Sequence, residues 1–185
     1  METTSPLREI TPSTHGVHIE LAYAGPHNLA GRPIYASHRC WLHRDAEACL
    51  VRAVALARLA DLRLKLLDAY RSPEAHAVLC RYVSDPRYIA DPRTGSHHTR
   101  GVAVDLTLVD DQGRELDMGT PFDAMVDPSH HGHPSLAPEV HRNRYLLLAI
   151  MVQAGFQSLE EEWWHYQLPQ ARSYPLIDPV GDLDL

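Results

Sequence analysis

Asp105 interrupts Val102-Ala103-Val104-Asp105-Leu106-Thr107-Leu108-Val109, a run that is otherwise apolar and rich in β-branched residues. A carboxylate carried into the interior on such a strand costs several kcal/mol unless a cation or hydrogen bonds compensate it. Seven residues earlier, His98 lies in Ser96-His97-His98-Thr99-Arg100-Gly101, a glycine-containing turn leading into the same strand. A strand advances about 3.3 Å per residue, so only a folded turn returns both side chains to one ion, and Gly101 supplies the backbone freedom for it. A second group, Glu161-Glu162-Trp163-Trp164-His165, sits near the C-terminus. Imidazole and carboxylate are ordinary zinc ligands, and a catalytic zinc typically takes three protein ligands and leaves its fourth position to water. His98, Asp105 and His165 would complete that set, with Glu162 placed as a general base beside the activated water.

Each of these residues also has an ordinary structural reading. His98 could be a hydrogen-bonded loop histidine, Glu162 a solvated acid in a run of three, and Asp105 a partner of Arg100 or Arg71. Alternation adds a condition: in a regular strand Glu162 and His165 point to opposite faces, so the chain must bend if both reach one metal. Packing of Trp163 and Trp164 could enforce that bend.

The elements that must carry these residues follow from periodicity and turn chemistry. Residues 1–16 hold Ser, Thr and Pro without apolar periodicity and read as an irregular arm before a domain over residues 17–185. Residues 19–23 look extended, and Gly25, Pro26, Asn28, Gly31 and Pro33 then make a loop. Ala46, Leu50, Ala53, Val54 and Ala57 recur at helical spacing and predict a helix over residues 45–60. Leu62, Leu64 and Leu66 alternate with Arg63 and Lys65, the period of a strand, and lead into Asp68-Ala69-Tyr70-Arg71. Pro73 suits the first turn of a second helix, over residues 73–82, and a loop with Pro86, Pro92 and Gly95 follows it. After the strand at 102–109, Asp110-Asp111-Gln112-Gly113 reads as a turn into a short return segment. A last helix is predicted over 138–154 with Gly155 as its C-terminal cap, then a final strand over 163–168. These elements predict a small single α+β domain, a central antiparallel sheet flanked by helices, with the metal site at the sheet.

Composition narrows the classes of function. With 185 residues, 44% hydrophobic and 22% charged, the chain suits one globular core. No run approaches the ~18 apolar residues of a membrane span, and the first residues lack a secretory signal, so cytoplasmic action is expected. A net charge of −7 with scattered Lys and Arg gives no basic face for nucleic acid. Cys40, Cys49 and Cys80 form no CxxC pair and read as reduced packing residues. Among the thirteen histidines, His15, His18, His27, His38 and His43 are dispersed, and most of them read as surface or loop residues. His130, His131 and His133 fall among Pro128, Gly132 and Pro134, which marks a loop that reads as solvated, with adventitious metal binding as the alternative.

Two linked motifs carry a resemblance. Ser96-x-His98-x-x-Gly101-x-Ala103-x-Asp105, followed downstream by Glu162-x-Trp164-His165, resembles the zinc D,D-peptidases, which comprise D,D-carboxypeptidases and D-alanyl-D-alanine dipeptidases. Asp68-Ala69-Tyr70-Arg71, Asp105-Leu106-Thr107-Leu108 and Met118-Gly119-Thr120-Pro121-Phe122-Asp123 make it most similar to the dipeptidases known from vancomycin resistance. The likeness runs over residues 20–166. It implies one zinc per chain on His98, Asp105 and His165, Glu162 as base, and Arg71 stabilising the developing oxyanion. It further implies Asp123 facing the free ammonium of a small dipeptide substrate, with Tyr23 and Ser96 lining the pocket. The implied reaction is hydrolysis of D-alanyl-D-alanine to two D-alanine. A D,D-carboxypeptidase acting on longer wall peptides, or an inactive zinc- or wall-peptide-binding domain, are the alternatives. Arg71 could also pair structurally, Asp123 could cap a turn, and Tyr23 could be a core aromatic. Two departures stand out: Leu29 occupies a position where an aromatic residue is common, and the stretch between Asp105 and Asp123 is slightly shorter.

Overall fold

The computed structural model of the protein describes residues 5–83, 85 and 87–177, so Pro86 of the expected loop, residues 1–4 of the arm and residues 178–185 lie outside the described residues. The rest of the arm is not irregular. It forms strand β1 (Leu7–Ile10) and a short helix α1 (Pro12–His15), the latter capped by Thr11 at its start and by Gly16 at its end. Its apolar residues are too few for a periodic signal. Leu7 and Ile10 are nevertheless buried, because β1 pairs antiparallel with a strand contributed from further along the chain.

After β2 (His18–Ile19) and a single 3-10 turn at Ala22–Ala24, that partner, β3 (Cys40–His43), leads straight into helix α2 (Arg44–Leu59). His43 accepts a hydrogen bond from the Asp45 N–H and is buried at the helix start, which corrects its reading as a surface histidine. His15 is likewise held, with Nε2 3.1 Å from Glu47 Oε1, and His131 is buried. The remaining elements are β4 (Arg63–Asp68), α3 (Pro73–Leu79), β5 (Ala103–Val109), α4 (Pro138–Ala154), β6 (Gln157–Leu159) and β7 (Glu162–Gln167). Helix α3 stops three residues short of the expected end. Gly155 takes the left-handed cap at φ 109°, and the return segment after β5 reaches only one bridge, Val109 to Glu115.

The main sheet has the order β2-β4-β5-β7-β6. It is antiparallel except at its edge, where the two-residue β2 runs parallel to β4. Leu64, Leu66, Val104, Leu106 and Leu108 from the sheet join Ala46, Leu50, Ala53, Ala57, Leu147, Ile150 and Met151 of α2 and α4 in one core. Each such large side chain contributes about 1.5–3 kcal/mol by leaving water. Cys40 and Cys49 are buried and Cys80 is half-buried, all three as free thiols.

The small sheet braces the turns that flank the central strands. Tyr70 N–H donates to Trp41 O of β3, and His43 N–H donates to Gly101 O. Gly101 ends the 3-10 turn His98–Arg100 at φ 68°, and a Cβ there would lie 2.8 Å from Leu7 Cδ2 and 3.0 Å from His43 N. Only glycine fits both the conformation and the space. Among the described residues no helix is long and apolar enough to cross a membrane.

Candidate active site

Strand register assembles the site. Asp105 on β5 lies directly opposite His165 on β7, so their side chains leave the sheet on one face. On the other side of β5, Asp68 pairs with Asp105 only because β4 carries a register shift between Leu66 and Asp68. That irregularity re-aims Asp68 from the core face to the Asp105 face, a common use of a bulge beside a site. The 3-10 turn before β5 then swings His98 back over the same spot.

The ligand-bearing atoms converge. His165 Nδ1 is 2.9 Å from Asp105 Oδ1, His98 Nε2 is 3.4 Å from the same oxygen, and the two ring nitrogens are 3.3 Å apart. The far side of each ring is already committed: His98 Nδ1 donates to Ala69 O at 2.7 Å, and His165 Nε2 donates to Gln167 Oε1 at 3.0 Å. Neutral imidazole carries one proton, so His98 Nε2 and His165 Nδ1 both present lone pairs. Two lone pairs and a carboxylate oxygen within 4.8 Å of one another repel unless a cation lies between them. The donor set therefore fits a metal ion, with the outer hydrogen bonds that ligating histidines usually make. Asp105 is paired with these histidines rather than with Arg100 or Arg71. Although burial opposes its charge, His98 and His165 hold its carboxyl well below the usual range. Burial likewise disfavours a second proton on His98, but the Asp105 carboxylate outweighs it, so a proton and a metal ion compete for His98 Nε2.

Glu162 meets the condition set by alternation. The β6–β7 ladder shifts register between Ser158 and Leu159, opposite Glu162, and this irregularity lets Glu162 Oε2 come within 3.9 Å of His165 Nδ1. Trp163 and Trp164 pack edge-to-face at 5.4 Å between them. Glu162 is buried, and that burial pushes its carboxyl up to about 8, opposed by His165 and reinforced by Asp105 and Asp123. A cation at the triad acts the other way and favours the carboxylate.

Arg71 is held by Asp68, which accepts from its Nε at 3.0 Å and its Nη2 at 2.5 Å on one oxygen. Burial opposes the guanidinium charge, and Asp68 more than offsets that. The other Asp68 oxygen accepts from the Tyr35 hydroxyl at 2.5 Å, and the Arg71 guanidinium lies over the Tyr23 ring at 5.0 Å. The Tyr23 hydroxyl in turn donates to Asp123 Oδ2 at 2.5 Å. Asp123 adopts φ 60°, a conformation that costs a non-glycine residue about 1 kcal/mol or more. The residue is partly exposed, yet its carboxyl is enclosed, and this enclosure pushes it up to about 7 against the Tyr23 hydrogen bond that lowers it. Ser96 Oγ accepts from the Thr99 N–H and so caps the turn that carries His98.

Tyr23, Arg71, Ser96, His98, Asp105, Asp123, Glu162 and His165 all line one cleft of about 960 Å³, and Leu29 lines it too. Three residues with evident parts in this arrangement were missed from the sequence. Asp68 was visible only as part of a motif, and its service to Arg71 depends on the bulge. Tyr35 comes from an irregular loop and gave no signal. Gln167 stands two residues past His165 on the same strand, and alternation could have found it.

The comparisons with known proteins agree with the geometry. Residues 3–180 match the family model described as D-ala-D-ala dipeptidase. The D-alanyl-D-alanine dipeptidase of Escherichia coli is 46% identical over 177 residues, covering 96% of this chain and 92% of that protein. Enzymes of the same name from Enterococcus faecium and Enterococcus faecalis are 31% and 32% identical over 86% and 83% of this chain, and 91% and 87% of their own lengths. With nearly its whole length matched, the chain belongs to the D-ala-D-ala dipeptidase family of metallopeptidases.

Proposed function

We propose that the protein hydrolyses the dipeptide D-alanyl-D-alanine to two D-alanine, using one zinc ion held by His98, Asp105 and His165. The observation that carries this reading is the convergence of three lone-pair donors with the Glu162 carboxyl 3.9 Å from one of them. When bound, zinc supplies Lewis acidity, polarising the peptide carbonyl and acidifying water. Glu162, through Oε2, takes the proton from the attacking water and returns it to the leaving amine. The Arg71 guanidinium, oriented by Asp68, faces the carbonyl oxygen as negative charge grows there, and its fixed position means that little reorganisation is needed. The Asp123 carboxylate pairs with the substrate ammonium, and Tyr23 and Ser96 shape the pocket around it.

Asp123 favours a dipeptidase over a D,D-carboxypeptidase, since an acylated amine offers no charge to an enclosed carboxylate. Glu162 and Arg71 argue against an inactive binding domain, which needs neither. A cytoplasmic site of action belongs to the proposal, and cell fractionation tests it. The decisive assay gives metal-analysed protein D-alanyl-D-alanine and its N-acetyl derivative. Release of D-alanine from the free dipeptide alone supports the reading. Faster turnover of the acetylated substrate would transfer the protein to the carboxypeptidases, and zinc binding without turnover of either would leave a binding domain.

A further inference from the structure

Gln167 and His165 lie two positions apart on β7, so alternation brings both side chains to one face. The Gln167 backbone is paired on both sides, with Ala103 of β5 and Gln157 of β6, which fixes the origin of its side chain. Its Oε1 sits 3.0 Å from His165 Nε2 and 2.5 Å from His97 Nδ1. An amide oxygen offers two lone pairs and no proton, so both rings must donate to it. His165 is thereby held as the Nε2–H tautomer, and the lone pair of Nδ1 points to Asp105 and His98. The reversed amide would present an NH2 group and demand the lone pair at Nε2. The ring proton would then move to Nδ1 and bond to Asp105, closing the metal site. His98 has a separate lock in the Ala69 carbonyl, so the two histidines are set independently.

We propose that Gln167 is a positioning residue that fixes the ligating tautomer of His165, and so sets metal affinity without touching the metal. This rests on the metal-site reading above, and the experiment separates the two. Zinc affinity is measured by competition with a chromophoric chelator for wild type, Gln167→Met and Gln167→Glu, alongside the visible spectrum of each cobalt-substituted protein. Gln167→Met keeps the volume but loses the strong acceptor, and should bind zinc about 10- to 100-fold more weakly with a shifted cobalt spectrum. Gln167→Glu restores an acceptor oxygen and should recover the affinity, which a purely structural role would not require. Should Gln167→Met fail to fold, Gln167→Asn, which withdraws the amide from the ring, must show the same loss. Unchanged affinity and spectrum in a folded Gln167→Met or Gln167→Asn would overturn the inference, as would a Gln167→Glu protein as weak as Gln167→Met. A wild-type protein that holds no zinc would instead overturn the metal reading, and this inference with it.

Discussion

On one wall of the cleft Asp105 and His165 face each other across hydrogen-bonded strands, whereas on the other Asp123 stands in a loop and is held chiefly by the Tyr23 hydroxyl. The first wall is positioned by backbone ladders that cannot shift by one residue without turning their side chains to the opposite face. The second is positioned by side chains, a left-handed backbone at Asp123 and a tyrosine from a 3-10 turn. In the proposed reaction the ladder wall holds the groups that would have to keep sub-ångström geometry. In that reaction the loop wall holds the groups that would meet the substrate, where sequence can change without disturbing the sheet. Chemistry should therefore fail when the ladder wall is altered, and selectivity should fail when the loop wall is.

The largest effect is expected from the metal. Treatment with a strong chelator should abolish D-alanine release, and added zinc should restore it; activity that survives verified removal of metal would break the comparison at its root. Next comes Glu162→Gln, for which we expect kcat to fall on the order of 10²–10⁴-fold with metal content unchanged. Loss of metal in that variant would make Glu162 a ligand or a structural residue. Arg71→Lys keeps the charge but loses the fork that Asp68 holds, and should lower kcat by about 10²-fold with little change in KM. A change confined to KM would move Arg71 from the chemical to the binding wall.

Asp123→Asn probes the loop wall. It should remove most of the preference for a free amine over an acetylated one while leaving the chelator sensitivity intact. Its pH dependence has a definite sign. The wild-type carboxyl, pushed up to about 7, is half ionised near that pH and loses its charge below it, so pairing with the ammonium weakens as pH falls through it. KM for the free dipeptide should rise about tenfold per unit below that point, as one proton is taken up, and Asp123→Asn should flatten the rise. A wild-type profile that stays flat through neutrality would sink the assignment. The smallest effect is expected for Tyr23→Phe, which removes one hydrogen bond worth about 1 kcal/mol. Because that bond lowers the Asp123 carboxyl, its loss should move the KM inflection to higher pH, which a titration of KM reads directly.

Much of this was legible in the chain. The helices and the strands bearing Asp105 and His165 announced themselves by period, proline and glycine, because those signals arise within a few residues. The residues that line the cleft were legible as motifs through the family resemblance, whereas spacing alone left His98, Asp105, His165 and Glu162 with ordinary structural readings. What was not legible depends on distant partners. The arm at residues 7–15 looked irregular because β1 is a strand only through β3, thirty or more residues away. Strand β3 was missed because its four residues are all buried and show no alternation. The mixed edge of the sheet, at β2, is two residues long and rests wholly on β4.

The sequence by itself determined which residue types could hold a metal and move a proton, because that is a matter of side-chain chemistry. It also marked Gly101 as the residue whose backbone freedom the turn before β5 uses, while the contacts with Leu7 and His43 that exclude any Cβ there come from the tertiary structure. Only the tertiary structure decided the two register shifts that bring Asp68 and Glu162 to the site face, because a bulge is set by the pairing of two strands rather than by either one. It also decided which nitrogen of each histidine is free, since the Ala69 carbonyl comes from a distant turn of the chain and the Gln167 amide, though local on β7, reaches the ring only through its side-chain conformation.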